Sequence, residues 1–211
     1  MKILIGMPSY SGMIPLRLVS RIMHLEKKDD WAVDFCFTER VGISKARNAI
    51  AKKALDNGYD FLLFIDDDQL PPRNVLTVMI EQDKDILCCP IPDRNGEDRL
   101  ALFDECLEPL TEPEGVFKIG AGGMGTTLIK GMTLEAMFNI HQRPFDEEVK
   151  PYKNKEGEEI MMEFSEDINF CVRAGLLGHE TWCVSELNPI HFGKPIEFYY
   201  DCKAKTAKTS T

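Results

Sequence analysis

The chain has 211 residues, a formal net charge of -10, 44% apolar and 28% charged residues, the makeup of a soluble globular protein able to bury one core of its own. Its acidity argues against a nucleic-acid-binding surface, and its amino-terminal apolar run is too short for a signal peptide while no stretch approaches a membrane span, so a cytoplasmic protein is expected. Seven cysteines (Cys36, Cys88, Cys89, Cys106, Cys171, Cys183 and Cys202) form an odd set without a Cys-x-x-Cys pair, which disfavours a zinc site and suits a reducing compartment.

Residues 2–7 read as a first strand, ended by the loop Pro8-Ser9-Tyr10-Ser11-Gly12. Ile14, Leu18, Ile22 and Leu25, with Val19 and Met23 beside them, then keep helical spacing. A second strand over 32–37 closes at Thr38-Glu39-Arg40. The helix expected over 42–58 carries Ile43, Ala46, Ile50 and Ala54 on its inner stripe and stops at Asn57-Gly58. Strands alternating with helices of this length imply βαβ units and a parallel sheet.

The next stretch, Phe61-Leu62-Leu63-Phe64-Ile65, is an unbroken apolar run, the pattern of a strand covered on both faces. Asp66-Asp67-Asp68 follow at once, and Pro71-Pro72 takes the chain out of the sheet, with Pro72 suited to the first turn of a new helix. The acids therefore stand at the carboxyl end of a strand, the edge where ligands bind in open α/β sheets. Adjacent like charges are most easily tolerated around a cation. Mg²⁺ or Mn²⁺ takes one or two carboxylates and completes its shell with water and substrate phosphates. Extended backbone puts Asp66 and Asp68 on one side and Asp67 on the other, so Asp66 and Asp68 are the expected metal and diphosphate clamp. A solvated acidic turn before a helix capped at Asn74 is the plainer alternative.

A helix over 73–82 and a strand over 85–89, ended by Pro90-Ile91-Pro92, complete the first half. The alternation then breaks. Asn95-Gly96 marks a turn, residues 109–115 are loop-like, and 100–103, 116–118 and 126–129 are short strand candidates around Gly120-Ala121-Gly122-Gly123, so a mixed sheet is expected here. A helix over 133–140 precedes residues 144–159, which are charged, poor in apolar residues and read as a mobile or substrate-ordered loop. Ser165 suits an N-cap, Ile168, Cys171, Val172 and Gly175 make a helical inner face, and Glu166 and Asp167 fall in the first turn, where the helix dipole favours acids. Capping accounts for those acids as well as catalysis does. Residues 181–184 read as a strand, and 203–211 as a disordered tail or linker.

Gly6-Met7-Pro8-Ser9-Tyr10, Ala46-Arg47-Asn48-Ala49-Ile50, Phe64-Ile65-Asp66-Asp67-Asp68, Gly122-Gly123-Met124-Gly125, the run from Ser165 to Arg173 and the late Ile190-His191 follow one another across nearly the whole chain. Their order resembles the GT-A class of nucleotide-sugar-dependent glycosyltransferases, especially its family 2-like group. The resemblance implies one α/β domain over 1–202, Rossmann-like with a mixed central sheet flanked by helices, in which 1–92 bind the nucleotide sugar and 93–202 form the acceptor side. It implies metal-dependent transfer of a hexose or deoxyhexose from a UDP-sugar to a hydroxyl of a glycan or glycoprotein. On this likeness Asp68, Asp66 and His191 hold Mn²⁺ or Mg²⁺. Asp66 also faces the ribose or base, with Asp67 beside the donor. Pro8, Ser9, Tyr10 and Glu39 hold the nucleoside, although an aspartate is common where Glu39 stands. Arg47 and Lys194 reach the base or phosphates. Asp167 would deprotonate the acceptor and Glu166 position it, the metal neutralising charge on the departing diphosphate. The length and lysine-threonine tail also resemble the excised first domain of a larger, virally encoded glycosyltransferase polypeptide. That likeness implies further enzymatic domains beyond residue 211, a growing glycan as partner and the host cytoplasm as location.

Other readings share parts of this pattern. A phosphatase of the haloacid dehalogenase type uses Asp-x-Asp after an apolar strand, with the first Asp as nucleophile, but places it near the amino terminus. A sugar-1-phosphate nucleotidyltransferase needs a Gly-rich phosphate loop that Pro8-Ser9-Tyr10-Ser11-Gly12 does not provide. A nucleotide-sugar-binding module without activity would have no need of a base such as Asp167.

Overall fold

The computed structural model describes residues 1–92, 100–111, 114–153 and 157–192, and the backbone of 197–201 and 206–210. Its first half is β1 (Lys2–Pro8), α1 (Leu16–Met23), β2 (Ala32–Thr38), α2 (Ile43–Asp56), β3 (Phe61–Ile65), β4 (Gln69–Leu70), α3 (Val75–Glu81) and β5 (Ile86–Cys88). There follow β6 (Leu102–Phe103), β7 (Val116–Ile119), β8 (Ala121–Gly122), β9 (Thr126–Lys130), α4 (Gly131–Ile140), β10 (Glu148–Lys153), β11 (Glu159–Phe164), α5 (Glu166–Leu176), β12 (Thr181–Val184), β13 (Ile190–Phe192), β14 (Glu197–Asp201) and β15 (Thr206–Ser210).

Alternation along the central strands sets the layers. Ile3, Ile5 and Met7 of β1 and Leu63 and Ile65 of β3 pack with Leu18 of α1 and Val75, Leu76 and Met79 of α3. Leu4, Leu62 and Phe64 turn the other way, against Ile50, Ala51 and Ala54 of α2, Leu134 and Met137 of α4, and Phe170, Cys171 and Ala174 of α5. Leu62, Leu63, Phe64 and Ile65 are all 0% exposed, as a strand covered on both faces requires, each buried side chain contributing about 1.5–3 kcal/mol.

The seven-stranded sheet runs β2-β1-β3-β9-β5-β12-β7. β1 pairs parallel with β2 and β3, β12 pairs parallel with β5, and β9 and β7 run antiparallel to their neighbours. This is one α/β domain with a large mixed sheet flanked by helices. Moving from β1 to β2 and then back across β1 to β3 reverses direction along the sheet, and right-handed crossovers then put α1 and α2 on opposite faces. Outgoing connections diverge between β1 and β3, which makes the carboxyl ends of those two strands the switch point where a ligand crevice is expected.

Three stretches differ from the sequence expectation. Residues 144–159 are not a mobile loop throughout: β10 and β11 form an antiparallel hairpin, and Phe145 is a core residue, 0% exposed. The signal was hidden because β10 tucks a charged side chain inward. Lys150 donates to Asn169 Oδ1 at 2.9 Å and lies 4.6 Å from the centroid of Phe164, its stem serving as apolar cover. The tail is not wholly unstructured, since Thr206–Ser210 pairs with Glu197–Asp201. The helix after the acids begins at Val75, later than expected, because Gln69–Leu70 stays extended and pairs with β13.

Phe145 joins the two helices that carry the site. Its ring stacks on Phe170 of α5 at 4.1 Å and meets Phe64 edge-on at 5.5 Å, and its N–H donates to Asn48 Oδ1 of α2 at 3.1 Å. Phe145→Ala is expected to lower the unfolding free energy by about 3–5 kcal/mol, read as a fall in the urea midpoint with the slope unchanged.

Candidate active site

Asp66, Asp67 and Asp68 do not continue the strand. The Gln69 N–H donates to the Asp66 carbonyl at 3.0 Å, closing a turn, because Gln69 and Leu70 leave to pair with His191 and Ile190. This corrects the two-sided arrangement expected for extended backbone. The turn sends the three side chains to three different partners. Asp66 Oδ2 is 3.1 Å from Arg47 Nη2, Asp67 Oδ2 accepts from Ser9 Oγ at 2.5 Å, and Asp68 Oδ2 is 3.4 Å from His191 Nε2. Ser9 follows β1 and Asp67 follows β3, so their bond spans the switch point.

Arg47 is not a solvated mid-helix arginine, nor one free to reach a nucleotide. It is 3% exposed and donates to Asp66 Oδ2, to Glu166 Oε1 at 3.1 Å and to the Met124 carbonyl at 3.2 Å. Its guanidinium also lies 5.2 Å from the centroid of Phe64. Burial weakens its hold on its proton, but Asp66, Glu166 and Asp167 outweigh that and raise its pKa. Burial likewise raises the pKa of Asp66 against the pull of Arg47, with Asp68 pushing the same way. Glu166 is raised by burial, opposed by Arg47 and assisted by Asp167. Both carboxyls bind protons more tightly folded than unfolded, so they withdraw stability as pH rises from the ordinary carboxylate range through their raised values.

The Asp68–His191 pair has the chemistry of a cation site. His191 Nδ1 lies 2.7 Å from the Pro92 carbonyl, and a carbonyl can only accept, so Nδ1 carries a proton. The other ring nitrogen, Nε2, faces Asp68 Oδ2. A proton on Nε2 makes this contact a charge-assisted hydrogen bond, and a divalent cation would take the same two atoms as ligands; a carbonyl holding the far nitrogen is the usual support for a metal-ligating imidazole. Asp66 Oδ1 is buried without a hydrogen-bond partner, a further acceptor beside this pair. Among the described residues no three His, Cys, Asp or Glu side chains form a ready-made cage. A divalent ion with two protein ligands and the rest from water and phosphates fits these residues; an ion held by protein alone does not.

At the start of α5 the two acids part company. Glu166 is buried, and its Oε1 accepts from Arg47 Nε at 3.1 Å, which ties the start of α5 to α2. Asp167 is half-buried, and its Oδ1 accepts from Ser165 Oγ and from the Ile168 N–H. Ser165 occupies the N-cap position but makes no side-chain capping bond, its hydroxyl serving to orient Asp167.

At the other end of the crevice, Pro8 lies level with Thr38 across the β1–β2 ladder, and the Ser9 N–H donates to the Thr38 carbonyl at 3.1 Å. Tyr10 is 77% exposed, and its carbonyl accepts from the Arg40 N–H at 3.2 Å. Glu39 packs against Gly12, where an added Cβ would meet Glu39 Oε2 at 2.6 Å. Lys194 lies outside the described residues. Sequence reasoning gave no role to Asn48, which anchors residues 145–146 on α2 through Phe145 N–H and Asp146 Oδ1. It also missed Gln69, whose position in β4 brings His191 to Asp68. Gly125 touches the site directly: a Cβ there would meet Asp66 Oδ2 at 3.1 Å and Gln69 Cγ at 3.1 Å. A hollow of about 640 Å³ under the β10–β11 hairpin contains none of the expected site residues.

No protein-family model matches the chain, and no curated protein matches it. Among solved structures it is similar to the crystal structure of A197 from STIV, at 18% identity and a TM-score of 0.69, over 100% of this chain and 95% of that one. That likeness concerns the fold. It is also similar to apo UDP-glucose pyrophosphorylase, at 11% identity and a TM-score of 0.43 over 95% of this chain and 76% of that one. A UDP-glucose pyrophosphorylase complexed with UDP-glucose matches at 14% identity and a TM-score of 0.46, over 95% of this chain and 92% of that one.

Removing Arg47 leaves two carboxylates uncompensated, Glu166 buried and Asp66 half-buried, so Arg47→Met is expected to destabilise the protein by about 3–5 kcal/mol. Adding Glu166→Gln to that variant recovers part of the loss at neutral pH. A double variant less stable than Arg47→Met alone would show that the charge pairing is not what Arg47 supplies.

Proposed function

We propose that the chain is a metal-dependent glycosyltransferase that moves a hexose or deoxyhexose from a UDP-sugar to a hydroxyl of a glycan or glycoprotein. The observation that carries this reading is the Asp68–His191 pair, Oδ2 and Nε2 at 3.4 Å with Nδ1 held by the Pro92 carbonyl, beside the switch point of the sheet, with Asp167 at the neighbouring helix start.

In this reading Asp68 and His191 hold Mn²⁺ or Mg²⁺ together with the donor's diphosphate oxygens. The imidazole ligand favours Mn²⁺, since Mg²⁺ prefers an all-oxygen shell. When bound, the ion neutralises the charge that builds on the departing nucleoside diphosphate. Ser9 fixes Asp67 and with it the loop after β1, where Pro8, Ser9, Tyr10 and Glu39 border the space for the nucleoside. Arg47 acts at a distance from the substrate, holding Asp66 and Glu166 so that the acidic turn and the start of α5 keep their spacing. Asp167 is the acceptor's base: Oδ1 is tied to Ser165 and Ile168, which orients the carboxylate toward taking a proton through its other oxygen.

Calorimetric titration of UDP and GDP, each with and without Mn²⁺, tests the donor site. UDP is expected to bind only with metal, and Asp68→Ala or His191→Ala to weaken that binding by about 100-fold or more, at the upper end of what loss of a supporting group costs. If neither nucleotide binds native protein with metal, the glycosyltransferase reading falls. Asp167→Asn is expected to leave UDP affinity unchanged and to slow turnover by about 10²–10⁴-fold, measured as release of UDP from a UDP-sugar with acceptor present. A loss of UDP affinity equal to the loss of turnover would instead make Asp167 a donor-binding residue.

A further inference from the structure

The free edge of the large sheet is apolar. β2 pairs with β1 on one side and, among the described residues, with no strand on the other. Its sequence, Ala32-Val33-Asp34-Phe35-Cys36-Phe37-Thr38, holds no lysine or proline, the residues that commonly guard such an edge against pairing with another chain. Phe35 is 51% exposed and Phe37 66%, and beside them on α1 stand Val19 at 38% and Met23 at 76%. These four, with Ile22, border a hollow of about 230 Å³ between α1 and β2 that no charged or hydroxyl side chain lines.

The register fixes which groups the edge offers. In a parallel ladder the N–H and carbonyl of one residue point to the same neighbouring strand, and those of the next residue point the other way. The Ala32 N–H donates to the Met1 carbonyl at 2.9 Å, and the Thr38 carbonyl accepts from the Ser9 N–H at 3.1 Å, so Ala32, Asp34, Cys36 and Thr38 bond toward β1. Val33, Phe35 and Phe37 therefore direct their backbone groups outward. Their side chains lie on the α1 face, level with Ile3, Ile5 and Met7. Asp34, the one charge on the strand, lies on the opposite face, where its carboxylate accepts from the Tyr59 hydroxyl at 2.8 Å.

We propose that the chain forms a two-fold dimer in which β2 pairs antiparallel with β2 of a second copy, centred on Phe35. The outward groups of Phe35 then bond to those of the second copy's Phe35, and Val33 and Phe37 exchange bonds with the second copy's Phe37 and Val33. Each of these pairs stands on the α1 face, where aromatic and β-branched partners directly opposite one another stabilise a ladder. A two-fold axis through the joined strands also puts both α1 helices on that same face, so Val19 and Met23 close over the phenylalanines from both sides. Asp34 falls opposite the second copy's Cys36 and not opposite its own charge.

Area favours a second copy as the occupant. With about 200 Å² for a whole aromatic side chain, the exposed fractions of Phe35, Phe37, Val19 and Met23 amount to roughly 400 Å² per copy, a patch larger than single exposed apolar residues make. Doubled by the two-fold axis and joined by the strand backbones, it approaches the lower end of the roughly 1,200–2,000 Å² that specific interfaces bury. An isologous contact needs no second kind of surface, since one patch serves both partners. The pairing is independent of any role for the acidic turn: the carboxyl ends of the two β2 strands point in opposite directions, which leaves each crevice open.

The test is sedimentation equilibrium of the native chain and two variants. The native chain is expected to sediment with twice the mass of one chain. Phe35→Lys, which sets two like charges against each other at the axis, is expected to weaken association at least about 30-fold, the effect of losing a central aromatic anchor. Phe35→Pro removes an outward N–H that the β1–β2 ladder does not use and is expected to do the same. A monomeric native chain would overturn the proposal and leave the patch to a different partner, and a dimer that persists in Phe35→Pro would overturn it by placing self-association elsewhere. Asp34→Cys tests the register without weakening the contact: opposite residues that do not exchange hydrogen bonds lie about 4.5 Å apart at Cα, within disulfide range. Mild oxidation is expected to link the two copies covalently, and adding Cys36→Ser to abolish the link. A link that survives Cys36→Ser, or none at all in a native-mass dimer, would overturn the pairing centred on Phe35.

Discussion

A buried guanidinium fixes the geometry on which this site depends. Arg47 takes one acid from the turn after β3, one from the start of α5 and a carbonyl from the glycine-rich segment before β9. An arginine held this far from water must find acceptors, and carboxylates at this depth must find a cation. Each therefore enforces the position of the others. Three segments distant in sequence are locked at one corner of the sheet, and Phe145, wedged between Phe64 and Phe170, supplies the apolar packing beneath them.

The acids at that corner are then separated by partner. Asp66 and Glu166 are matched by Arg47, Asp67 by the Ser9 hydroxyl and Asp167 by its own helix start, while Asp68 faces an imidazole nitrogen. The tight turn makes this division possible, since extended backbone would have aimed two of the three aspartates the same way. Like charges in adjacent positions, costly in isolation, become distinct functional groups once the backbone sends them apart.

Much of this was legible in the chain. The apolar run 61–65, the helix stripe through Ala46 and Ile50 and the acids ending the central strand depend on local pattern, and each appears where pattern puts it. What pattern does not carry is pairing between distant segments. Gln69–Leu70 and Ile190–Phe192 are too short to announce themselves as strands, yet their ladder brings His191 to Asp68. Arg47 reads as a surface residue because nothing local distinguishes an arginine facing solvent from one facing two acids. The β10–β11 hairpin was obscured for a related reason: its inward positions hold Glu148, Lys150 and Tyr152, which are polar residues that pack by their stems and rings.

The two halves of the site answer to different constraints. Ser9 and Asp67 are placed by chain winding: the order β2-β1-β3 opens a crevice at the carboxyl ends of β1 and β3, and residues at those ends meet there whatever their chemistry. Asp68 and His191 are placed by a two-residue ladder that the winding does not require. The β4–β13 pairing is thus the element through which a generic α/β crevice acquires the Asp68–His191 contact, while alternation turns Leu70 and Phe192 to the other face, toward α1. One short antiparallel contact accordingly serves both faces, aligning His191 with the acidic turn on one side and closing the apolar core against α1 on the other.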